Sequence, residues 1–268
     1  MNNRPGAYPQ VPLAGSLTHG ECAPSCVPLV PHMACGPVMT DHACLLPKKH
    51  GTKPQQKKEQ ALVKDGQYTV LRDGTIHVIS ESYVYKTESY YALLQHELEG
   101  RAVRPASSAV IDAYVVPVCL ERASQAKIPV CEWEISQGYF PIPSILYGLN
   151  YFATASDFFV VDDNERAKEV VKHITNKGKY PFCYQKLPDH AAIRRSVAIF
   201  GRTMAQSGPI NAIAEKVYEV FGIPLVTIVM VQEGDLLKLS SLTPTKYSQL
   251  SHEERSLLSA YITHQEFL

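Results

Sequence analysis

The sequence predicts an α+β domain, or an α/β one, built on a mixed sheet with flanking helices, and three observations carry that expectation. Residues 157–187 read strand, helix, strand with short connections, a pattern that implies a right-handed βαβ crossover. Residues 224–242 read as two apolar strands turning through Glu233-Gly234-Asp235, an antiparallel hairpin. Segments of helical spacing precede, separate and follow these two units, so crossover and hairpin belong to one helix-covered core, closed by a C-terminal hairpin plus helix.

Taken in order, "TIHVISES" (75–82) alternates as a strand does. Tyr90, Tyr91, Leu93, Leu94 and Leu98 recur at helical spacing and stop before Gly100, which predicts an amphipathic helix over 88–99. The apolar segment 108–125 reads as a helix kinked or split by Pro117. "IPVCEWEI" (128–135) reads as a strand. In the crossover, "DFFVV" and "YPFCYQKL" are the strands. The helix between them is capped by Asp163 or Asn164 and buries Ala167, Val170, Val171 and Ile174. A strand over 196–201 then leads to a helix over 210–221 with Ile210, Ile213, Ala214, Val217 and Phe221 on one face. After the hairpin, Ser251 and Glu254 form a capping box that starts the last helix.

Composition divides the chain near residue 60. Residues 1–60 hold nine of the 19 prolines and four of the seven cysteines, and contain no Phe, Trp or Ile. Such a segment buries too little apolar area to offset the entropy of ordering it, so a disordered tail ending in the basic linker "PKKHGTKPQQKKEQ" is expected, with a single domain over 61–268. The chain carries 26 basic and 26 acidic residues, a balance that argues against nucleic acid or an anionic membrane as its main partner. No apolar run reaches the ~18 residues that span a bilayer. Prolines at 12, 24, 28, 31 and 37 break any signal-peptide core, so a cytoplasmic location is expected.

Four places carry candidate chemistry. In the tail, Cys22, Cys26, Cys35 and Cys44 alternate with His32 and His42. These are side chains of the kind that bind Zn²⁺, but the C-x3-C spacing is not that of the usual knuckle, and scattered thiols account for it as well. Cys119, Cys131 and Cys183 fall in predicted core segments and read as small buried hydrophobes. His77 falls on a strand and the other histidines of the domain mostly on helices, where a surface place is the ordinary one; His190 sits in a loop beside Asp189. The segment "YVYKTESYY" crowds Tyr83, Tyr85, Tyr90 and Tyr91 at a strand-to-helix step with Lys86, Thr87 and Ser89. A hydroxyl-rich helix N-terminus suits an anion, while rings bridging core and surface suit the same residues. Last, "SVAIFGRTM" ends an apolar strand on Gly201, Arg202 and Thr203, where the Arg202 fork offers donors to a carboxylate or phosphate.

Two of these stretches resemble a known pattern. Tyr83, Tyr85, Thr87, Tyr90, Tyr91, Leu93, Leu94, Gly100 and Pro105 follow the order Y-x-Y-x-[ST]-x-x-Y-Y-x-x-L-L, Gly, Pro. Phe200-Gly201-Arg202-Thr203, Ala214, Phe221, Pro224 and Leu225 follow F-G-[RQ]-T, a helix alanine and an F-x-x-P-L step. Together they resemble the RimK-like ATP-grasp N-terminal domain family, over roughly residues 65–265. In that family an α+β domain precedes a RimK-type ATP-grasp ligase, which joins amino acids through an acyl-phosphate. The resemblance implies a stand-alone accessory or substrate-recognition domain without the ATP-grasp module. It implies a ligand site at Tyr85, Ser89, Tyr90, Gly201, Arg202 and Thr203, no catalytic residue, no metal and no cofactor. Its expected partners are an amino acid or peptide and an ATP-grasp ligase in trans. The alternatives are a small degenerate ATP-binding ligase using Lys186 and His190, and a metal-responsive adaptor acting through the tail cysteines.

Overall fold

Asp73-Gly74 is a two-residue turn in which both residues sit at positive φ, the geometry that a right-twisted hairpin favours. It joins Tyr68–Arg72 (β1) to Thr75–Ile79 (β2), antiparallel, and Val103–Arg104 (β3) adds to β2 in parallel with Arg104 opposite His77. The computed structural model describes residues 62–150, 153, 156–205 and 207–263. The expectations of a disordered tail and of tail thiols as metal ligands lie outside the described residues.

Between β2 and β3 runs Glu88–Leu98 (α1), capped by Thr87, whose side chain accepts from the Tyr90 amide. Its buried face is Ser89, Tyr90 and Leu93, whereas Tyr91 and Leu98 point outward, Leu98 at 88% exposure. The apolar face is therefore narrower than the spacing of its tyrosines and leucines predicts. Pro117 splits the next helical segment as expected, into Ser107–Tyr114 (α2) and Val116–Gln125 (α3), because proline is tolerated only in a first turn. Ala106 offers α2 no side-chain cap; instead the Glu97 carboxylate of α1 accepts from the Ser107 amide at 2.7 Å and its hydroxyl at 2.6 Å.

The segment 128–135 is not one strand. Residues 129–131 bridge in parallel to Leu239, and only Glu134–Ser136 (β4) joins a sheet, pairing with Phe182–Lys186 (β7). The extended segment thus links the edges of two sheets. The crossover is present, with Phe158–Val161 (β6), Asn164–Ile174 (α4) capped by Asp163, and β7. A strand that the sequence reading passed over, Ser144–Gly148 (β5), lies antiparallel between β6 and β7, giving the order β4-β7-β5-β6. All of Ser144, Ile145, Leu146 and Tyr147 are buried, since α4 covers one face and the main core the other. A strand buried on both faces shows no alternation.

The third sheet is Ala192–Ile199 (β8), Leu225–Glu233 (β9) and Leu236–Thr243 (β10), in the order β10-β9-β8 and antiparallel throughout. Gly208–Phe221 (α5) connects β8 to β9 and ends on Gly222 in the left-handed conformation. His252–Thr263 (α6), opened by the Ser251–Glu254 capping box, packs on β8 and β1. One mixed and two antiparallel sheets with flanking helices, a crossover and a C-terminal hairpin plus helix make this the α+β class the sequence predicts.

The main core lies where β9 and β10 face the β5–β7 sheet and the helices α2, α3 and α5. At its centre the register of β10 against β9 slips by one residue, leaving Ser240 in a bulge. The bulge re-aims Ser240, whose hydroxyl meets Gln185 Oε1 at 2.6 Å and the Tyr147 hydroxyl at 2.7 Å; Gln185 donates back to the Ser240 carbonyl at 2.8 Å. This network is fully paired, so its burial carries little penalty. Cys119, Cys131 and Cys183 are buried free thiols in the same core, and burial pushes each up to about 12.

Candidate functional site

A second two-residue turn shapes the candidate site. After β8, Phe200 and Gly201 both take positive φ, 49° and 75°, while Ile199 and Arg202 exchange backbone hydrogen bonds of 2.8 and 2.9 Å. Glycine fits this geometry without cost; a bulky phenylalanine does not, and left-handed backbone there costs about 1–2 kcal/mol. Gly201 has a second reason to be glycine. A Cβ at that position would lie 2.9 Å from Tyr218 Cβ, so the turn is pressed onto α5. What offsets the strain is the Phe200 ring, which packs on Tyr261, Tyr218 and His77 with centroids 4.9, 5.8 and 5.7 Å away.

The two turns face one cleft of about 340 Å³. Arg72, Asp73 and Thr75 come from the β1–β2 turn, His77 from β2, Arg104 from β3, Phe200 and Arg202 from the turn after β8, Tyr218 from α5 and Tyr261 from α6. Three guanidinium groups thus converge against a single carboxylate. That carboxylate, Asp73, is held by Arg72 Nε at 3.2 Å, while neither Arg104 nor Arg202 forms an ion pair with another described residue. Arg104 lies with its aliphatic stem along Gly222, about 3.6 Å from where a Cβ would stand, an ordinary packing distance.

His77 sits at the floor, 7% exposed, with Nδ1 3.3 Å from the Tyr218 hydroxyl. Burial holds its imidazole below the ordinary value, and the charges of Arg104 and Arg72 add to that effect against a small opposing pull from Asp73. Burial likewise raises the Tyr218 phenol, with Arg104 pulling the other way. Both groups are therefore neutral at pH 7, and the positive charge of the cleft rests on the arginines.

Of the six residues singled out from the sequence, Arg202 lines this cleft and Gly201 forms the turn that presents it. Thr203 donates to Asn211 Oδ1 at 2.5 Å, tying the turn to α5. Tyr85, Ser89 and Tyr90 are not among the lining residues. Ser89 is buried and donates to the Ser82 carbonyl at 2.5 Å; Tyr90 is buried; Tyr85 is exposed and packs edge-on to Tyr90 at 5.4 Å. Lys186 and His190 are exposed at and beyond the end of β7, and neither lines the cleft. Among the described residues no three His, Cys, Asp or Glu side chains are grouped as metal ligands. No helix among them is long and apolar enough to cross a membrane.

Arg72, Asp73, Thr75, His77, Arg104, Tyr218 and Tyr261 line the cleft without having been singled out from the sequence as site residues. One signal was present: "RDGT" is an Asp-Gly turn, and it places an arginine directly beside a hairpin tip.

Fold and cleft together define an α+β protein with a cleft lined by three arginines and by aromatic rings. No protein-family model matches the chain, and no curated protein matches it in sequence. It is similar to a RimK domain protein ATP-grasp from Sphaerobacter thermophilus, with a TM-score of 0.47 and 17% identity over 65% of this chain and 77% of that one. It is also similar to the ATP-grasp ligase PsnB in complex with precursor peptide PsnA2 and AMPPNP (TM-score 0.48, 12% identity, 68% and 70% covered). A D-alanine-D-alanine ligase from Helicobacter pylori is a third (TM-score 0.46, 11% identity, 64% and 61% covered).

Proposed function

We propose that this chain is a non-catalytic recognition domain of a RimK-type amino-acid or peptide ligase system, and that it holds an anionic ligand in the arginine cleft. The observation that carries the reading is the convergence of Arg72, Arg104 and Arg202 on one concave surface whose single acidic side chain is already paired. Surface arginines are common, but three that converge from separate elements, two of them without a carboxylate partner among the described residues, make an electropositive site suited to carboxylate or phosphate. The strained Phe200 and the crowded Gly201 add to it, because backbone strain is retained where surrounding structure or function demands it. The link to a ligase rests on the two motif stretches, Tyr83 to Pro105 and Phe200 to Leu225. On this reading the partner that activates the ligand is an ATP-grasp ligase on another chain, acting in the cytoplasm on an amino acid or peptide.

The test is calorimetry of the full chain against a panel of amino acids and short peptides, with Arg202→Ala as the comparison, and affinity capture from its native host. Binding of a carboxylate-bearing ligand, weakened at least roughly tenfold in Arg202→Ala, is expected from the loss of a charge-assisted hydrogen bond. Identical heats for both proteins across the panel, together with no ligase in the captured material, overturn the reading.

A further inference from the structure

We infer that the arginine cleft is built for a phosphomonoester dianion rather than for a lone carboxylate. The inference rests on the reading that this cleft is the ligand site, and it names the class of ligand.

Donor count is the first ground. A carboxylate has two oxygens and about four acceptor positions, which two guanidinium forks fill. The cleft brings three forks, from Arg72, Arg104 and Arg202, together with the Thr75 hydroxyl, while the Tyr218 hydroxyl is engaged by His77 Nδ1 at 3.3 Å and by Arg104. Arg72 commits its Nε to Asp73 at 3.2 Å, and the forks of Arg104 and Arg202 form no ion pair with a described residue. A phosphomonoester has three terminal oxygens, enough acceptors for all three forks.

Charge is the second. Three arginines less one aspartate leave two positive charges on the lining. A monocarboxylate leaves one of them uncompensated, whereas a phosphomonoester carries about −1.5 to −2 near neutrality and matches both. The cleft also has an apolar side. Phe200 and Tyr261, with ring centroids 4.9 Å apart, form a wall for the carbon that bears the ester.

The pH dependence of binding makes the choice of anion measurable. The charged and titratable groups around His77 are Arg72, Asp73, Arg104, Arg202, Tyr218 and Tyr261, and His77 is the one among them with an ordinary value near neutrality. Any anion bound over it favours its protonation, a phosphoryl dianion more strongly than a carboxylate. The ligand's own second ionisation, at about 6, belongs to the phosphomonoester alone.

The experiment is calorimetric titration of the full chain with O-phosphoserine, a phosphoserine tripeptide and inorganic phosphate, with glutamate as the carboxylate control. Arg104→Ala, Arg202→Ala and Arg202→Lys are run beside the wild type. O-phosphoserine is expected to bind at least roughly tenfold tighter than glutamate, and Arg202→Lys, which keeps the charge but loses the fork, to fall between wild type and alanine. Between about pH 7.5 and 5.5 the ratio of the two affinities, measured in His77→Gln so that the imidazole adds nothing, should fall, because the dianion is lost. If the tripeptide exceeds free O-phosphoserine, the source is a modified peptide; if the two are equal, it is a small phosphomonoester, and either result supports the inference. Equal affinity for glutamate and O-phosphoserine overturns the inference but keeps the anion site. Failure of every ligand overturns both. Phosphoserine binding that is unchanged in Arg104→Ala and Arg202→Ala overturns the placement of the site.

Discussion

Gly201 and Phe200 show how two adjacent residues set the geometry of the cleft. Gly201→Ala would place a methyl group 2.9 Å from Tyr218 Cβ at a φ of 75°. Left-handed backbone costs about 1–2 kcal/mol and overpacking about 1–3 more, so a loss of roughly 2–5 kcal/mol in a denaturant melt is expected. A loss under about 1 kcal/mol would mean the turn moves freely off α5. His77 carries a pH signature of its own. Its folded value is lowered by burial and by Arg104 and Arg72, so the unfolded chain binds the proton more readily. Its contribution to stability is therefore complete above the unfolded value of about 6.5 and is lost as pH falls from there toward the folded value. Wild type should lose melting temperature between about pH 7 and 5.5 more steeply than His77→Gln. Parallel curves for the two proteins would show that His77 is as free to protonate in the fold as out of it.

At the scale of elements, helix ends are held across element boundaries as well as within them. The Glu97 carboxylate of α1 accepts from both the amide and the hydroxyl of Ser107, taking the place of a cap that Ala106 lacks. Glu97→Ala removes both bonds at a partly buried site and should cost about 1–3 kcal/mol, with faster amide exchange confined to the first turn of α2. Unchanged exchange there would show that water replaces the carboxylate. The same feature marks the limit of sequence reading. Asp163 and the Ser251–Glu254 box cap within a few residues and were legible, as were Pro117 and the Glu233-Gly234-Asp235 turn. Glu97 capping a helix that starts ten residues later follows no local rule. β5 was illegible for a different reason, since burial on both faces erases the period-2 pattern. The cleft was half legible. Arg202 stood out at the end of an apolar strand, but His77 and Arg104 become neighbours only through β2–β3 pairing, and Arg72 reaches them through a hairpin.

At the scale of the whole molecule, two sheets are joined across the core by the Tyr147, Ser240 and Gln185 network. Tyr147→Phe removes one hydroxyl from a site where Ser240 and Gln185 still pair with each other. A cost of about 1–2 kcal/mol is expected, without change in the slope of a urea melt. A larger loss with a shallower slope would mean the sheets part independently. The cleft lies at the other end of this arrangement, where the β1–β2–β3 sheet, the end of β8, α5 and α6 come together. Its arginines come from three separate stretches of chain, so the site exists only in the folded molecule.

Side-chain Nε–H resonances of the arginines, followed by NMR as inorganic phosphate is added, test the cleft most directly. Arg72, Arg104 and Arg202 should shift together along one saturable curve, while Arg122, paired with Asp112 at 2.9 Å elsewhere on the surface, stays still. Equal, unsaturable shifts of Arg122 and the three cleft arginines, or no shift in the three, would contradict an anion site at this cleft.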